Sequence, residues 1–252
     1  MVRQSLTMPP ISWMHAFVDV RAERAEEARS FWSSVLGWPS GDAWPGHPEF
    51  VSFVPENGAP YVHVQRIDGP PRVHLDLVGE IERDTARLEE LGATRVYRGA
   101  AWQAMASPAG LPFCVCAETW PHERPKAVTW PGGHRSRLVQ LTVDVPNDQY
   151  DRELEFWRVA TGWADEVVDA PEFHRLVHRR ESPLQLLVQR LGADDGAQQA
   201  RAHLDLGTDH MDAELGRVRS LGARLLWTSA GFVALRDPLG LPFCVTANDP
   251  AR

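Results

Sequence analysis

Short motifs in this chain occur twice, in the same order and about 125 to 130 residues apart. Phe-Trp at 31–32 returns at 156–157, and His-Leu-Asp-Leu at 74–77 returns at 203–206. Ordered recurrence of this kind over 252 residues indicates a duplication. A chain of this length also exceeds the usual size of a single domain. The sequence therefore predicts two tandem domains with one fold.

Within each copy, the hydrophobic pattern alternates between strands and helices. In the first copy a β-prone run over 13–20 precedes a stretch of helical spacing that ends at Gly37. Strand candidates follow at 49–54 and 60–66. A second round begins with the His-Leu-Asp-Leu strand and ends with a strand at 113–117. The predicted order is β-α-β-β, twice per copy, with a further short strand in each half left open. This is an α+β class.

The composition narrows the range of partners. Lys plus Arg number 26 and Asp plus Glu number 34, so the net charge is −8. Without a basic stripe, such a chain is a poor match for nucleic acid or an anionic membrane. It has no apolar run near the ~20 residues that span a bilayer, and its first residues lack the apolar core of a signal peptide. Three unpaired cysteines indicate reduced thiols. We expect a cytoplasmic monomer or homodimer that binds a small molecule.

Several motifs together resemble the vicinal oxygen chelate superfamily, and among its members the two-domain, glyoxalase-like proteins of actinobacteria. These motifs are Val-Asp-Val, a helix bearing Phe-Trp and Leu-Gly-Trp, Arg-x-His-Leu-Asp-Leu, a helix closed by Leu-Gly-Ala, and Pro-x-Gly-Leu-Pro-Phe-Cys. The resemblance implies tandem domains, each of paired β-α-β-β-β modules that form a curved, U-shaped sheet with helices outside. The superfamily includes glyoxalases, epimerases, extradiol dioxygenases and metal-free bleomycin-binding proteins, so the fold does not identify a reaction.

The same pattern predicts the boundaries of the domains. Residues 1–10 are expected to form a disordered tail, residues 11–118 the first domain and residues 137–247 the second. Between the domains, residues 119–136 are rich in Pro and Gly, which is typical of an extended linker without a core of its own.

The resemblance also implies a metal site in domain 1. Metal ligands in the superfamily come from the first and last strands of each module, and these positions hold His15, His63, His74 and Cys114. We expect the three histidines to converge on one inward-facing point, with ring nitrogens ~4–5 Å apart, and to hold one divalent ion such as Zn, Fe, Ni or Mn. Cys114 is the weaker candidate, because it stands where metal-binding relatives usually have Glu. The missing carboxylate argues against proton-transfer chemistry.

Domain 2 has different residues at the corresponding positions. They are Gln140, Leu187, His203 and Cys244. Leu187 cannot bind a metal and Gln140 is a weak ligand, so we expect one ion per chain and no other cofactor. Because His74 recurs as His203, both could instead be buried, hydrogen-bonded structural histidines.

Further residues are expected to contact the substrate because they lie on predicted strands with large aromatic rings or amide groups. The candidates are Trp13, Gln65, Trp102, Gln140, Gln189, His203 and Trp227. Aromatic rings that line a concave sheet suit a flat aromatic ligand, although rings of this size also occur in cores. No residue is identified as catalytic.

Two classes of function follow from these observations. The first is a small-molecule enzyme of lyase, isomerase or dioxygenase type in secondary metabolism. It would act on an oxygenated or aromatic metabolite with a divalent metal in domain 1. The second is a metal-free protein that binds or sequesters an antibiotic or another aromatic metabolite. A metal-free cyclase or isomerase would use the same cleft. The metal content of the purified protein separates the first class from the others.

Overall fold

Two mixed β-sheets with four helices form the fold. A computed structural model describes residues 11, 13–117, 123–166, 168, 170–177 and 182–251, so the expected N-terminal tail lies outside the described residues. The first sheet has the order β2-β3-β4-β1-β5-β8-β7-β6 and the second has the order β11-β12-β13-β10-β14-β17-β16-β15, with β9 paired to β10. The α+β class and the tandem arrangement are confirmed.

The bounds of the elements show two β-α-β-β-β modules in each half of the chain. The first half contains β1 (Met14–Val20), α1 (Ala25–Leu36), β2 (Ser40–Trp44), β3 (His47–Phe53), β4 (Val62–Arg66), β5 (Arg72–Val78), α2 (Ile81–Glu90), β6 (Thr94–Arg98), β7 (Trp102–Ala106) and β8 (Pro112–Cys116). The second half contains β9 (Val128–Thr129), β10 (Arg135–Val145), α3 (Tyr150–Thr161), β11 (Ala164–Glu166), β12 (Phe173–Val177), β13 (Gln185–Arg190), β14 (Arg201–Thr208), α4 (Met211–Ser220), β15 (Arg224–Ser229), β16 (Phe232–Arg236) and β17 (Pro242–Thr246). The short strand left open in each module is present as the strand after each helix.

The central strands of each sheet are buried on both faces. Every residue of β1 is buried, because one face packs under the helices and the other lines the inside of the curve. Side chains alternate between the faces along a strand. Ala16 and Val18 therefore lie on the helix side, while His15, Phe17 and Asp19 lie on the concave side.

Each sheet curls until its distant strands meet. Strands β3 and β7 are five steps apart in the sheet order, which would separate them by roughly 24 Å in a flat sheet. The rings of His47 on β3 and Trp102 on β7 have centroids only 5.2 Å apart. In the second sheet, Phe173 on β12 and Phe232 on β16 approach to 6.1 Å. Both sheets are therefore U-shaped.

The two domains exchange helix contacts. Phe31 and Trp32 of α1 pack against Phe243 of the second sheet, with ring centroids 6.0 and 5.5 Å away. Reciprocally, Phe156 and Trp157 of α3 pack against Phe113 of the first sheet, at 5.9 and 5.4 Å. The repeated Phe-Trp pair therefore forms part of the interface between the domains.

A buried carboxylate accepts the same two hydrogen bonds at both interfaces but comes from different positions in the chain. Asp237, in the loop before β17, accepts from the Trp32 indole and from the Leu239 amide. At the other interface, Glu153 of α3 accepts from the Trp157 indole and from the Ala109 amide. Burial raises the pKa of Asp237 to about 6 and also raises that of Glu153.

The segment between the domains is attached to its neighbours. The Ala59 amide donates to the Glu123 carbonyl, and the Lys126 amide donates to the side chain of Asn57. Farther along, β9 pairs with the start of β10. The described part of the expected linker therefore runs along domain 1 and then joins the second sheet.

Asp237→Asn should change how stability depends on pH. An acid whose pKa is raised in the folded state stabilises the fold as pH falls, in the window between its folded and unfolded pKa. Between about pH 6 and pH 4, the wild type should gain stability relative to Asp237→Asn, and above pH 6 the difference should be constant. Thermal unfolding of both proteins at several pH values measures this difference. A difference that is flat from pH 4 to 8 would contradict the burial of this carboxylate.

Candidate functional site

The concave face of domain 1 carries a band of polar side chains across its four central strands. In register, His63 on β4 lies opposite Phe17 on β1, and Phe17 lies opposite His74 on β5. In the next row, His15 lies opposite Asp76, and Asp76 lies opposite Cys114 on β8. Neighbours across strands share a face of the sheet. All four sequence-predicted ligand positions therefore lie on the concave side.

His74 lies between two carboxylates. Its Nδ1 is 2.8 Å from Asp19 Oδ1, and its Nε2 is 3.3 Å from Asp76 Oδ1. Burial alone would lower the pKa of His74, but the charge of Asp19 and the contacts with Asp19 and Asp76 outweigh it and hold this pKa well above its usual value. Phe17 stacks on the imidazole with ring centroids 4.7 Å apart. This arrangement suits a charged imidazolium, which an aromatic face also attracts. We call Asp19, His74 and Asp76 the Asp-His-Asp clasp of domain 1.

Domain 2 repeats the clasp. His203 Nδ1 is 3.0 Å from Asp144 Oδ2, and His203 Nε2 is 3.3 Å from Asp205 Oδ1. Burial would lower the pKa of His203, but the charges of Asp144 and Asp205 raise it well above the usual value. Because both domains contain the clasp, it is part of the shared fold.

The three histidines of domain 1 do not converge, so the expectation of a three-histidine centre was wrong in its geometry. His63 Nε2 lies 2.9 Å from His15 Nδ1, as expected. The Phe17 ring, however, lies 4.7 Å from both the His63 and the His74 rings and separates them. The ligand atoms of His74 group instead with those of Asp76 and Cys114, all within 4.8 Å of one another. Phe17 prevents convergence because it occupies the middle strand at the same register.

A carboxylate is present on this face after all. Asp76 comes from the His-Leu-Asp-Leu motif and lies directly opposite His15 in the sheet. Its side chain is almost fully buried and contacts His74. Cys114, beyond it, has its pKa raised to about 12 by burial and by the charge of Asp76, so it stays a neutral thiol in this environment.

In domain 2, hydrogen-bonded amides and a hydroxyl replace the imidazoles. Gln140, at the position of His15, donates to Asp205 and to Thr142, and it accepts from Gln185. Thr142, at the position of Phe17, donates to Asp205 at 2.7 Å. Leu187, at the position of His63, is buried. His203, Asp205 and Cys244 still have ligand atoms within 4.8 Å of one another, as in domain 1. The expectation that domain 2 has too few ligand groups overlooked Asp205.

Aromatic rings surround the histidine pair of domain 1. Trp44 lies 5.3 Å from His63 and 5.0 Å from Phe50, between ring centroids. Phe50 in turn meets Trp102 at 6.0 Å, across the curve of the sheet. We call Trp44, Phe50 and Trp102 the aromatic wall. Trp102 is the sequence-predicted member. The others were missed because their face of the sheet depends on the register of β2 and β3.

The remaining sequence-predicted substrate residues are spread over the molecule. Trp13 is completely buried and meets Tyr61 edge-on, whereas Trp227 on the edge strand β15 is 54% exposed. Gln65 and Gln189 occupy equivalent places, opposite Asp19 and Asp144 on the concave faces. The concave faces therefore contain Gln65, Trp102, Gln140, Gln189 and His203, while Trp13 packs in the core.

One protein family matches this chain twice, once in each domain. The glyoxalase-like domain family matches residues 15–116 and again residues 140–246. The chain belongs to this glyoxalase-like family. Both matches include the clasp of their domain, and the expected resemblance to glyoxalase-like proteins is confirmed. No curated protein sequence matches this glyoxalase-like chain.

Solved structures with the same fold are dioxygenases and a related synthase. The 2,2',3-trihydroxybiphenyl 1,2-dioxygenase of dibenzofuran-degrading Sphingomonas wittichii has 16% identity and a TM-score of 0.61, over 94% of this chain and 90% of that one. A variant of 4-hydroxymandelate synthase from Streptomyces coelicolor has 14% identity and a TM-score of 0.58, over 97% and 94%. A halotolerant catechol dioxygenase has 11% identity and a TM-score of 0.57, over 94% and 87%. At these identities, the likeness concerns the fold.

The helices of the glyoxalase-like chain do not suggest a membrane span. Within the described residues, none is long and apolar enough to cross a bilayer.

His203→Gln should destabilise the protein and weaken its pH dependence. The change removes the buried cation between Asp144 and Asp205 and leaves Asp144 only its longer contact with Arg201, at 3.6 Å; loss of one partner of a buried ion pair typically costs about 3–5 kcal/mol. Since the folded pKa of His203 is raised, its contribution is complete below the unfolded value of 6.5 and is lost as pH rises toward the folded pKa. The free energy of unfolding, measured in urea from pH 6 to 10, should therefore show a gap between wild type and variant that narrows with rising pH. A gap that widens would contradict a charged His203.

Proposed function

We propose that domain 1 is the catalytic half of a small-molecule enzyme of dioxygenase, lyase or isomerase type. In this proposal, His15 and His63 would hold one divalent metal, and the substrate would be an oxygenated or aromatic metabolite. Domain 2 serves as a scaffold. The observation that carries the proposal is the histidine pair, which occurs on the concave face of one domain and is replaced by Gln140 and Leu187 on the other.

The spacing of the pair fits a metal ion. Two ligands about 2.1 Å from one ion and roughly at right angles lie ~3 Å apart. His15 Nδ1 and His63 Nε2 are 2.9 Å apart, and a hydrogen bond joins them. The ligand atoms of Asp76 group with His74 and Cys114, so the pair itself offers two imidazole donors, which suit Zn, Fe, Ni or Mn. When bound, a divalent ion supplies Lewis-acid polarisation of substrate oxygens.

Ser52 orients one of the two imidazoles. Its hydroxyl lies 2.9 Å from His63 Nδ1 and accepts a hydrogen bond from the Trp44 indole at 2.8 Å. A partner on the second ring nitrogen fixes the orientation and tautomer of a ligating histidine. The hydroxyl therefore connects the aromatic wall to the histidine pair.

The aromatic wall and the clasp determine what binds beside the pair. The Phe17 and Trp44 rings contact His63, and Phe50 packs against both of those rings, so the imidazole lies among aromatic faces that favour a flat ring. The clasp keeps His74 between Asp19 and Asp76, with both ring nitrogens facing a carboxylate. Because Phe17 stacks between His74 and His63, the pair His15–His63, and not His74, would meet the ligand in this proposal.

Substituting each histidine by its counterpart from domain 2 should abolish metal binding. His15→Gln and His63→Leu place residues that the other domain already accommodates on the same fold, so both variants should remain folded. Metal content, measured on protein purified without chelators, should fall from about one ion per chain to near zero. Gln140→Ala and Leu187→Ala change the matched positions of domain 2 and should keep one ion per chain.

Other stoichiometries would overturn the proposal. Two ions per chain would show that domain 2 also binds metal. Metal loss on changing Gln140 or Leu187 would show that the ion is bound in domain 2 and not in domain 1. Wild-type protein without metal, even after incubation with Zn, Fe, Ni and Mn salts, would favour the metal-free binding protein or the metal-free isomerase. The aromatic wall would then be the binding surface.

A further inference from the structure

One end of the concave face carries an arginine that is less paired in domain 1 than in domain 2. Arg72 lies opposite Asp19 at the start of β5, and its Nε donates to Asp19 Oδ2 at 2.8 Å. The side chain is 50% exposed, and within the described residues its ion pair with Asp19 is its only one. In the part of the chain that the structure describes, no hydrogen bond or ion pair is found for the two terminal nitrogens of Arg72.

The equivalent arginine of domain 2 has a second carboxylate. Arg201 lies opposite Asp144 at the start of β14, with its Nε 3.6 Å from Asp144 Oδ2. Its Nη2 donates to Asp195 Oδ2 at 3.0 Å. Arg201 is also 50% exposed, so the two arginines differ in partners and not in access to solvent. Asp195 belongs to the loop that joins β13 to β14.

The corresponding loop of domain 1 is shorter. It covers residues 67–71 between β4 and β5, whereas the domain 2 loop covers residues 191–200. Asp68 is the acidic residue of the short loop, and no ion pair joins it to Arg72 in the described part of the chain. In domain 2 the loop therefore provides a second carboxylate for the arginine. In domain 1 the described part of the loop provides none for Arg72.

We propose that Arg72 is an anion-binding residue for the ligand of domain 1, and that this ligand carries a carboxylate where domain 2 places the carboxylate of Asp195. The inference deepens the proposed function and rests on it, because it takes the concave face of domain 1 as the ligand site. It names the substrate class as an aromatic or oxygenated carboxylic acid.

The chemistry of the subsite favours a single carboxylate over a larger anion. A guanidinium end presents two N–H groups that match the two oxygens of a carboxylate in one plane. In domain 2, the carboxylate of Asp195 lies against the equivalent arginine, which shows that a carboxylate fits there. The Nε of Arg72 lies 2.8 Å from Asp19, so this carboxylate already compensates part of the guanidinium charge. A dianion would carry more negative charge than the remaining positive charge can balance.

The test uses two probes that differ in charge and hardly in shape, salicylate and salicylamide. Isothermal titration of the full chain should give salicylate a Kd about tenfold lower than that of salicylamide, as expected for one charge-assisted contact. Arg72→Gln should raise the Kd of salicylate to that of salicylamide and leave the Kd of salicylamide unchanged. Arg201→Gln is the matched control and should change neither Kd, because Asp195 already occupies its guanidinium.

The same titrations separate this inference from the proposed function. They are run on protein as purified and after dialysis against EDTA, and the preference for salicylate should survive in both. If the protein holds no metal but keeps the preference, the metal proposal fails and the subsite stands. Equal affinity for the two probes, binding of neither, or equal losses for both in Arg72→Gln would overturn the subsite.

Discussion

A buried histidine between two carboxylates joins the halves of each sheet. The clasp links β1 to β5, which are the first strands of the two modules, and it does so again between β10 and β14. Burial of charges is costly unless each is matched, and removal of one partner leaves an uncompensated charge. The clasp therefore adds a buried ionic contact across the pairing of β1 with β5 and of β10 with β14, and it depends on the register of those strands. The U shape, the aromatic wall and the histidine pair all depend on that register.

With the clasp constant, a few neighbouring positions distinguish the domains. Phe17 covers the imidazole of domain 1 with an aromatic ring, while Thr142 of domain 2 donates a hydrogen bond to the clasp carboxylate instead. Beside them, His15 and His63 are replaced by Gln140 and Leu187. Domain 2 thereby becomes a closed network of amide and hydroxyl hydrogen bonds, which is suited to a scaffold. Domain 1 keeps two imidazoles with facing nitrogens, which are suited to chemistry.

Much of the fold was predictable because the duplication repeats the motif of each element, and a motif that occurs twice in the same order is easy to recognise. The repeated Phe-Trp pair and the His-Leu-Asp-Leu strand located the modules, and both are buried as the pattern indicated. The site was predictable only in part, because the residue types were visible while their register was not. Nothing in the sequence indicates that Phe17 lies between His63 and His74, because this depends on the register of three strands. The alternation of the His-Leu-Asp-Leu strand indicates that Asp76 shares a face with His74, whereas Asp19 becomes a partner of that imidazole only through the pairing of β1 with β5.

The central claim is that the clasp is a shared scaffold and that the two residues beside it decide which domain binds a metal. Installing the histidine pair in the other domain tests this directly, with Gln140→His and Leu187→His combined in one chain. The claim predicts that metal content rises from about one ion per chain to about two, with the clasps of both domains unchanged. A content that stays at one in a folded variant would contradict it, because the pair would then be insufficient to define the site.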